Sequence, residues 1–394
     1  MKRVILILLT LSTGILLAQN EALTVRGYVK FLPQFNRVNQ EFLPPGFENL
    51  FPSSFEDYQI HNRVDIHWYG KNGFRAGIGL RNRLFWGYQV DNNPAFYNNL
   101  QNDPGFLDAS FAWQNESSII SVLSDRFWIE WEREKWRIRA GRQRINWGVS
   151  TVWNPNDIFN QFNYFDFDYE ERPGSDALLA QYYTGDFSSI QLAVAPADSV
   201  KDLRVGGLYK FHKGTYDLQI LGGYVERNYA MGGAFAGNLW DAGLKGEFTY
   251  FIPAFESLNE EQSLVATLGI DYSFANGIYL QGGYLFNQGG NDEGSLLDLL
   301  SVTQTTLSTK NIFPYKNSIF ASALYPVTPL LSASASTIFT PNLQNVFLIP
   351  NLQYNLAQNL DILALGQLFL GENPNNGEVG LFFSAIYLRL KYSF

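Results

Sequence analysis

The 394-residue sequence contains no cysteine, two methionines and three histidines. Without cysteine there is no disulfide framework, no thiolate metal site and no lipid-modified N-terminal cysteine. The histidines are His61, His67 and His212. His61 and His67 share one face of a candidate strand but lie about 20 Å apart along it, too far to ligate one metal. No HExxH, no Gly-x-Ser-x-Gly and no nucleophile beside a plausible base occurs. The expectation is therefore a non-enzyme with no cofactor and no metal. Arginine is absent from Asn228 to Leu388. Beyond Leu17 no apolar run is long enough for a membrane helix. The formal net charge of −9 argues against a nucleic-acid partner.

What the sequence does contain begins with Met1-Lys2-Arg3, a short basic segment before the apolar run Val4 to Leu17. With small residues near Ala18-Gln19, this reads as a secretory signal peptide over 1–18. At the other end, Ile386, Leu388, Leu390, Tyr392 and Phe394 alternate with Tyr387, Arg389, Lys391 and Ser393. The same parity assigns Phe382 to the apolar face and Leu381 to the wet one. A strand with one apolar and one wet face suits a wall between lipid and an aqueous lumen. It also resembles the C-terminal signal of bacterial outer-membrane barrels, implying the barrel-assembly machinery as a partner. A secreted chain with a lipid-facing strand and no helical span has one membrane solution, a closed barrel. Aromatics at 16 % fit the girdles such a wall carries.

Residues 19–394 thus read as a single all-β domain, a transmembrane antiparallel β-barrel in the outer membrane of a Gram-negative bacterium. The length left after cleavage accommodates about 16 to 18 strands at roughly 20 residues per strand and connection. Alternation and turn signals such as Lys71-Asn72-Gly73 mark seventeen candidate strands. Gly233–Phe251 reads as one long strand or two short ones, and single-chain bacterial barrels are even-numbered, so 18 is favoured. Long external loops are expected over 88–124, 146–175 and 291–310. A short helix is expected around Leu296 to Leu300.

Charge placement carries the functional signal. Arg26, Lys30, Arg63, Arg75, Arg81, Arg83, Arg137 and Arg139 all take inward parity on the first five candidate strands. Guanidinium groups bind carboxylate and phosphate bidentately and stay charged at any working pH. Such a stripe lowers the barrier to anions in a pore. The competing reading is that Asp65, Glu130 and Glu132 neutralise the stripe, which then braces the wall. By strict alternation Arg142 and Arg144 would face lipid. Either Gly141 marks a bulge that turns them inward, or the strand has already left the membrane. Asp157, Glu170, Glu171 and Asp176 are their natural partners and, with the Arg172-Pro173-Gly174 turn, would pin the loop into the lumen.

The segments Gly141-Arg142-Gln143-Arg144-Ile145-Asn146-Trp147-Gly148, Trp153-Asn154-Pro155-Asn156-Asp157 and Glu170-Glu171-Arg172-Pro173-Gly174-Ser175-Asp176-Ala177 resemble the alginate-export porins and their uncharacterised relatives. The resemblance implies an arginine-rich barrel of about 18 strands that passes anionic or polar solutes. It carries over only Arg142 and Arg144 as pore-lining positions. The expected function is passive diffusion of small polar, anionic or sugar solutes across the outer-membrane lipid. The alternative is a barrel that exports or binds polysaccharide without general pore activity.

Overall fold

The computed structural model describes residues 22–43, 45, 52–103, 105–160, 168, 170–255, 261–292, 308–341 and 345–394. The segments expected as a signal peptide and as a short helix at Leu296–Leu300 lie outside them. The strands are β1 (Leu23–Val38), β2 (Ser54–Tyr69), β3 (Phe74–Gly87), β4 (Ser110–Gln114), β5 (Ile119–Arg133), β6 (Trp136–Gln143), β7 (Ser175–Gly185), β8 (Ser188–Ala195) and β9 (Arg204–Lys213). They continue with β10 (Tyr216–Val225), β11 (Asn228–Leu239), β12 (Ala242–Pro253), β13 (Ser263–Ser273) and β14 (Tyr279–Asn287). The last are β15 (Asn317–Pro326), β16 (Leu331–Thr340), β17 (Asn345–Ala357), β18 (Leu360–Glu372) and β19 (Val379–Ser393). Two short helices, α1 (Tyr88–Asn92) and α2 (Pro94–Gln101), follow β3.

Each strand pairs antiparallel with its neighbours, and β19 returns to β1, closing the ring. The ring has 18 positions, because β4 lies on the same edge of β5 that β6 covers lower down. The 233–251 stretch is two strands, β11 and β12, turning at Trp240-Asp241. Pairing of β1 with β19 removes the two free edges that an open sheet would expose to lipid. Among the described residues no helix is long and apolar enough to cross a membrane.

Connections mostly alternate in length around the ring, the two-residue Glu226-Arg227 link between β10 and β11 excepted. One end carries tight turns such as Lys71–Gly73, where Asn72 and Gly73 take positive φ. Both chain ends of the barrel lie there, and Gly27 and Phe394 exchange two backbone hydrogen bonds of 2.9 Å. The other end carries the long connections. Outside, Ile129, Leu192, Ile220, Leu268, Leu352 and Ile386 are exposed, as lipid-facing positions must be. Aromatics flank this belt, with Tyr272, Phe274, Tyr325, Tyr354 and Tyr392 at the short-turn end and Phe111, Trp113, Tyr229 and Tyr284 at the other.

On β19, Leu388 and Leu390 face outward while Arg389 is buried inside. The alternation fails above this point. Phe369 pairs with Phe383 but Leu370 with Leu381, so Phe382 is an extra residue. The bulge flips the parity beyond it. Leu381 is thus outside, and Phe382, expected toward lipid, is buried within.

Inside, the barrel is not uniformly wet. Trp147, Trp153, Ile158 and Phe159 from the β6–β7 connection pack with Phe313 and Tyr315 of the β14–β15 connection against Leu208, Phe251, Phe320, Phe347 and Phe382 of the wall. This is a core of soluble-protein character, enclosed by strands. It fills one side of the lumen and leaves the polar side to β1–β6 and β19.

Candidate functional site: the lumen and the loop that crosses it

The β6–β7 connection organises the lumen. Its first half is sewn to the inner faces of β8 to β13. Trp147 donates its indole N–H to Gln191 at 2.8 Å, and Gln219 donates to the Trp147 carbonyl. The Val149 N–H donates to Glu247 at 2.9 Å, and Ser150 meets Thr267 at 2.8 Å. Asn156 donates to the Gly233 carbonyl at 3.2 Å and accepts from Thr249 at 2.7 Å. Asp157 stays within the connection, accepting from the N–H groups of Trp147 and Gly148. Burial pushes its carboxyl up, and those two N–H groups offset part of the shift.

Asp168, Glu170 and Glu171 lie on the far wall. Asp168 is within 2.6 Å of Lys30 on β1, 2.9 Å of His61 on β2 and 3.8 Å of Arg81 on β3. Gln59 adds a hydrogen bond of 2.8 Å. Arg81 can only donate, and its Nε lies 3.3 Å from His61 Nε2. That assigns the His61 proton to Nδ1, facing Asp168, and leaves the ring neutral. Burial alone would raise the Asp168 carboxyl. His61, Lys30 and Arg81 outweigh it and hold the group below the usual carboxylate range. Glu170 contacts Arg389 at 3.0 Å and Lys391 at 2.9 Å on β19, and Lys30 at 3.6 Å on β1. Glu171 reaches Arg63 at 3.4 Å and accepts from the Tyr28 hydroxyl at 3.2 Å. The Glu171 and Arg172 carbonyls both accept from Arg126 at 2.7 Å. In a ring of 18, β2 and β12 are nine positions apart, on opposite walls. A connection bonded to both spans the lumen.

The basic side chains on inward parity are interleaved with carboxylates. Arg63 is 2 % exposed and lies 2.8 Å from both Asp65 and Asp125. Glu130 is the shared counterion of Arg75, Arg137 and Arg139, at 3.1, 2.7 and 2.5 Å. Arg75 also meets Glu132. Arg139 additionally lies over the Trp128 ring at 4.1 Å. Arg83 donates to Ser121 at 3.3 Å, and Arg26 is exposed at the short-turn mouth. Asp65, Glu130 and Glu132 thus pair with Arg63, Arg75, Arg137 and Arg139, four of the eight stripe residues.

Two expected pore-lining positions sit elsewhere. Arg142 pairs across the ladder with Phe127 and Asp176, on the face opposite Arg137 and Arg139. It is buried and bonds Asp176 twice at 2.8 Å, Asp103 at 2.8 Å and the Ser124 and Leu107 carbonyls. A guanidinium with its donors filled this way closes a seam between elements. Gly141 keeps its register with both neighbours, so no bulge on β6 turns Arg142 inward. Its φ of +110° and the Phe127 carbonyl, 2.3 Å from where a Cβ would stand, nonetheless require glycine. The bulge is on β5, where Asp125 is the extra residue. Arg144 bonds Asn146 at 2.7 Å and stays on the loop. Of the expected loop-pinning carboxylates, Asp176 meets Arg142, while Glu170 and Glu171 meet β19, β1 and β2 instead.

Asp168, Asp125, Asp103 and Arg126 escaped the sequence reading. Asp125 sits at a bulge, which parity cannot anticipate. Asp168 and Asp103 lie in connections, where no periodicity exists to read.

The sequence matches no known protein-family profile and no curated protein. Its fold has solved counterparts. Acinetobacter baumannii OccAB4 superposes with a TM-score of 0.55 at 10 % identity, covering 96 % of this chain and 99 % of that one. Pseudomonas aeruginosa OpdQ gives 0.57 at 8 % identity, covering 94 % and 97 %. Pseudomonas aeruginosa OccK11 (OpdR) gives 0.54 at 9 %, covering 94 % and 96 %. The fold is that of an outer-membrane barrel channel. The coverage is end to end, so the likeness extends to the whole ring and not to one hairpin.

Proposed function

We propose that this chain is a porin of the outer membrane of a Gram-negative bacterium, passing small polar solutes by passive diffusion. The observation that carries the reading is a connection bonded to opposite walls of a closed 18-stranded ring. Such a connection narrows the lumen. A signal peptide over 1–18 and recognition of the β19 terminus by the assembly machinery belong to this reading. It requires neither cofactor nor catalysis.

The arginine side chains act chiefly as one half of a paired lattice. Anion preference then depends on small imbalances within that lattice rather than on a bare basic stripe. The resemblance to alginate-export porins rests on the motif between Gly141 and Ala177, whereas the similar structures are Occ-type channels. In that motif Arg142 is spent on Asp103 and Asp176, which favours small solutes over an anionic polymer. Conductance in planar bilayers tests the proposal. Stepwise insertion of ohmic channels by the purified barrel is expected. A folded barrel that never conducts would replace the porin reading with that of a surface polysaccharide-binding barrel.

A further inference from the structure

A cavity of about 700 Å³ opens between the long-connection ends of β1, β2 and β3 and the helices α1 and α2. It lies within the ~300–1,000 Å³ range of small-ligand sites. Its inner limit is Gln59, which donates to Asp168, so the cavity stands directly outside the charged cradle.

The charged groups around it are already engaged. Asp103 takes hydrogen bonds from Gly105, Ala109 and Arg142. Asp57 accepts from the Gln89 N–H at 2.8 Å. Arg83 donates to Ser121 and lies over the Phe85 ring at 5.2 Å. The amides are different. Gln34 and Gln59 use their Nε2 groups on Asn36 and Asp168, and Gln89 accepts from Asn93 through Oε1. Among the described residues this leaves the Oε1 atoms of Gln34 and Gln59, Gln89 Nε2 and Asn93 Oδ1 without a protein partner. Among the described residues the exposed side chains of Asn99 and Asn102 have none at either end. The lining therefore offers uncharged donors and acceptors side by side. Apolar surface is supplied by Phe85 and Phe96, packed edge to face at 5.2 Å.

We infer that this cavity binds a neutral carbohydrate, a short oligosaccharide, before it reaches the charged cradle. Each sugar hydroxyl both donates and accepts, as each amide does. The C–H faces of a pyranose ring suit an aromatic wall. With the carboxyl groups of Asp57 and Asp103 against the single guanidinium of Arg83, the lining is not basic, which disfavours an anion. The inference deepens the porin reading and rests on it only for the direction of travel.

The test is titration of the detergent-solubilised barrel with maltotriose by calorimetry, and with dialanine as the zwitterionic control. Wild-type protein is expected to bind maltotriose saturably, with affinity unchanged between low salt and 1 M salt. Asn99→Ala/Asn102→Ala, at exposed positions outside the barrel wall, should weaken binding about tenfold. Phe96→Ala should weaken it independently, with heat-modifiable migration retained in all variants. No saturable maltotriose binding, binding untouched by both variants, or preference for dialanine would overturn the site. A barrel that binds maltotriose but never conducts would sink the porin reading and leave the site standing. One that conducts but does not bind would do the reverse.

Discussion

Glu130 is the residue on which the lumen's charge balance is most exposed to a single change. Three guanidinium groups, those of Arg75, Arg137 and Arg139, converge on one carboxylate that is 1 % exposed. Glu130→Gln preserves shape and removes one negative charge. An ion passing about 8 Å away in water feels that change as about 0.5 kcal/mol. It acts with opposite sign on anions and cations, so the permeability ratio should shift roughly fivefold toward anions. The assay is reversal potential under a salt gradient. The shift should be full near 0.01 M, where the screening length is about 30 Å, and vanish near 1 M, where it is about 3 Å. Lost charge-assisted hydrogen bonds should also cost about 1.5–3 kcal/mol each, less the screening these partly exposed arginines already have. That loss should appear as a lower temperature for the heat-modifiable transition. A folded variant whose reversal potential at low salt equals that of wild type would show that permeant ions do not pass this lattice.

Arg142→Lys cannot reproduce the forked contacts to Asp176 and Asp103, and should destabilise the barrel by about 3–5 kcal/mol while leaving selectivity unchanged. A selectivity change at full stability would return Arg142 to the pore. Cysteine replacing Lys391 should react with a membrane-impermeant thiol reagent, and cysteine replacing Leu390 should not; above the bulge, position 381 should resist and 382 should be shielded by core packing. Labelling at 390 rather than 391 would refute the register. Asp168 has a folded pKa below its unfolded value of about 3.9, so its contribution is complete above that value and is lost as pH falls through the folded one. Channel current should therefore stay quiet from neutral pH to about pH 4 and grow noisy below it. An onset at pH 5 or 6 would point to another group. Deleting Phe394, which bonds Gly27 across the closing strands, should impair insertion but not secretion; a normal yield of heat-modifiable barrel in cells would contradict this.

The wall was legible in the sequence because its period is two and one face must be apolar. Leu388 and Leu390 on one side, and Arg389 and Lys391 on the other, needed nothing further. The doubt over residues 233–251 resolves at Trp240-Asp241, where a positive φ at Trp240 makes a turn that no Asn-Gly signal announced. Parity failed where a strand carries one residue too many, at Phe382; Asp125, the extra residue of β5, lies where no strand was expected. The charge stripe was legible as a row of cations. Its neutralisation was legible in part, through Asp65, Glu130 and Glu132; the share of Asp168 was not, because it arrives from a connection whose path is set by tertiary packing. The same limit hid the apolar core, since Trp147, Trp153 and Phe159 have no periodic partner along the chain.

Glu170 touches Lys30 on the first strand and Arg389 and Lys391 on the last. A ring made from one chain has one joint that no turn secures, and here that joint lies between β1 and β19. Lateral parting of a barrel begins at such a joint, where only ladder hydrogen bonds hold the two edges. Glu170 rivets it from within, at a depth lipid does not reach. The rivet belongs to a segment also anchored on the opposite wall. Opening the joint would therefore have to strip the crossing segment from at least one side. This ties the mechanical integrity of the vessel to the element that narrows its bore.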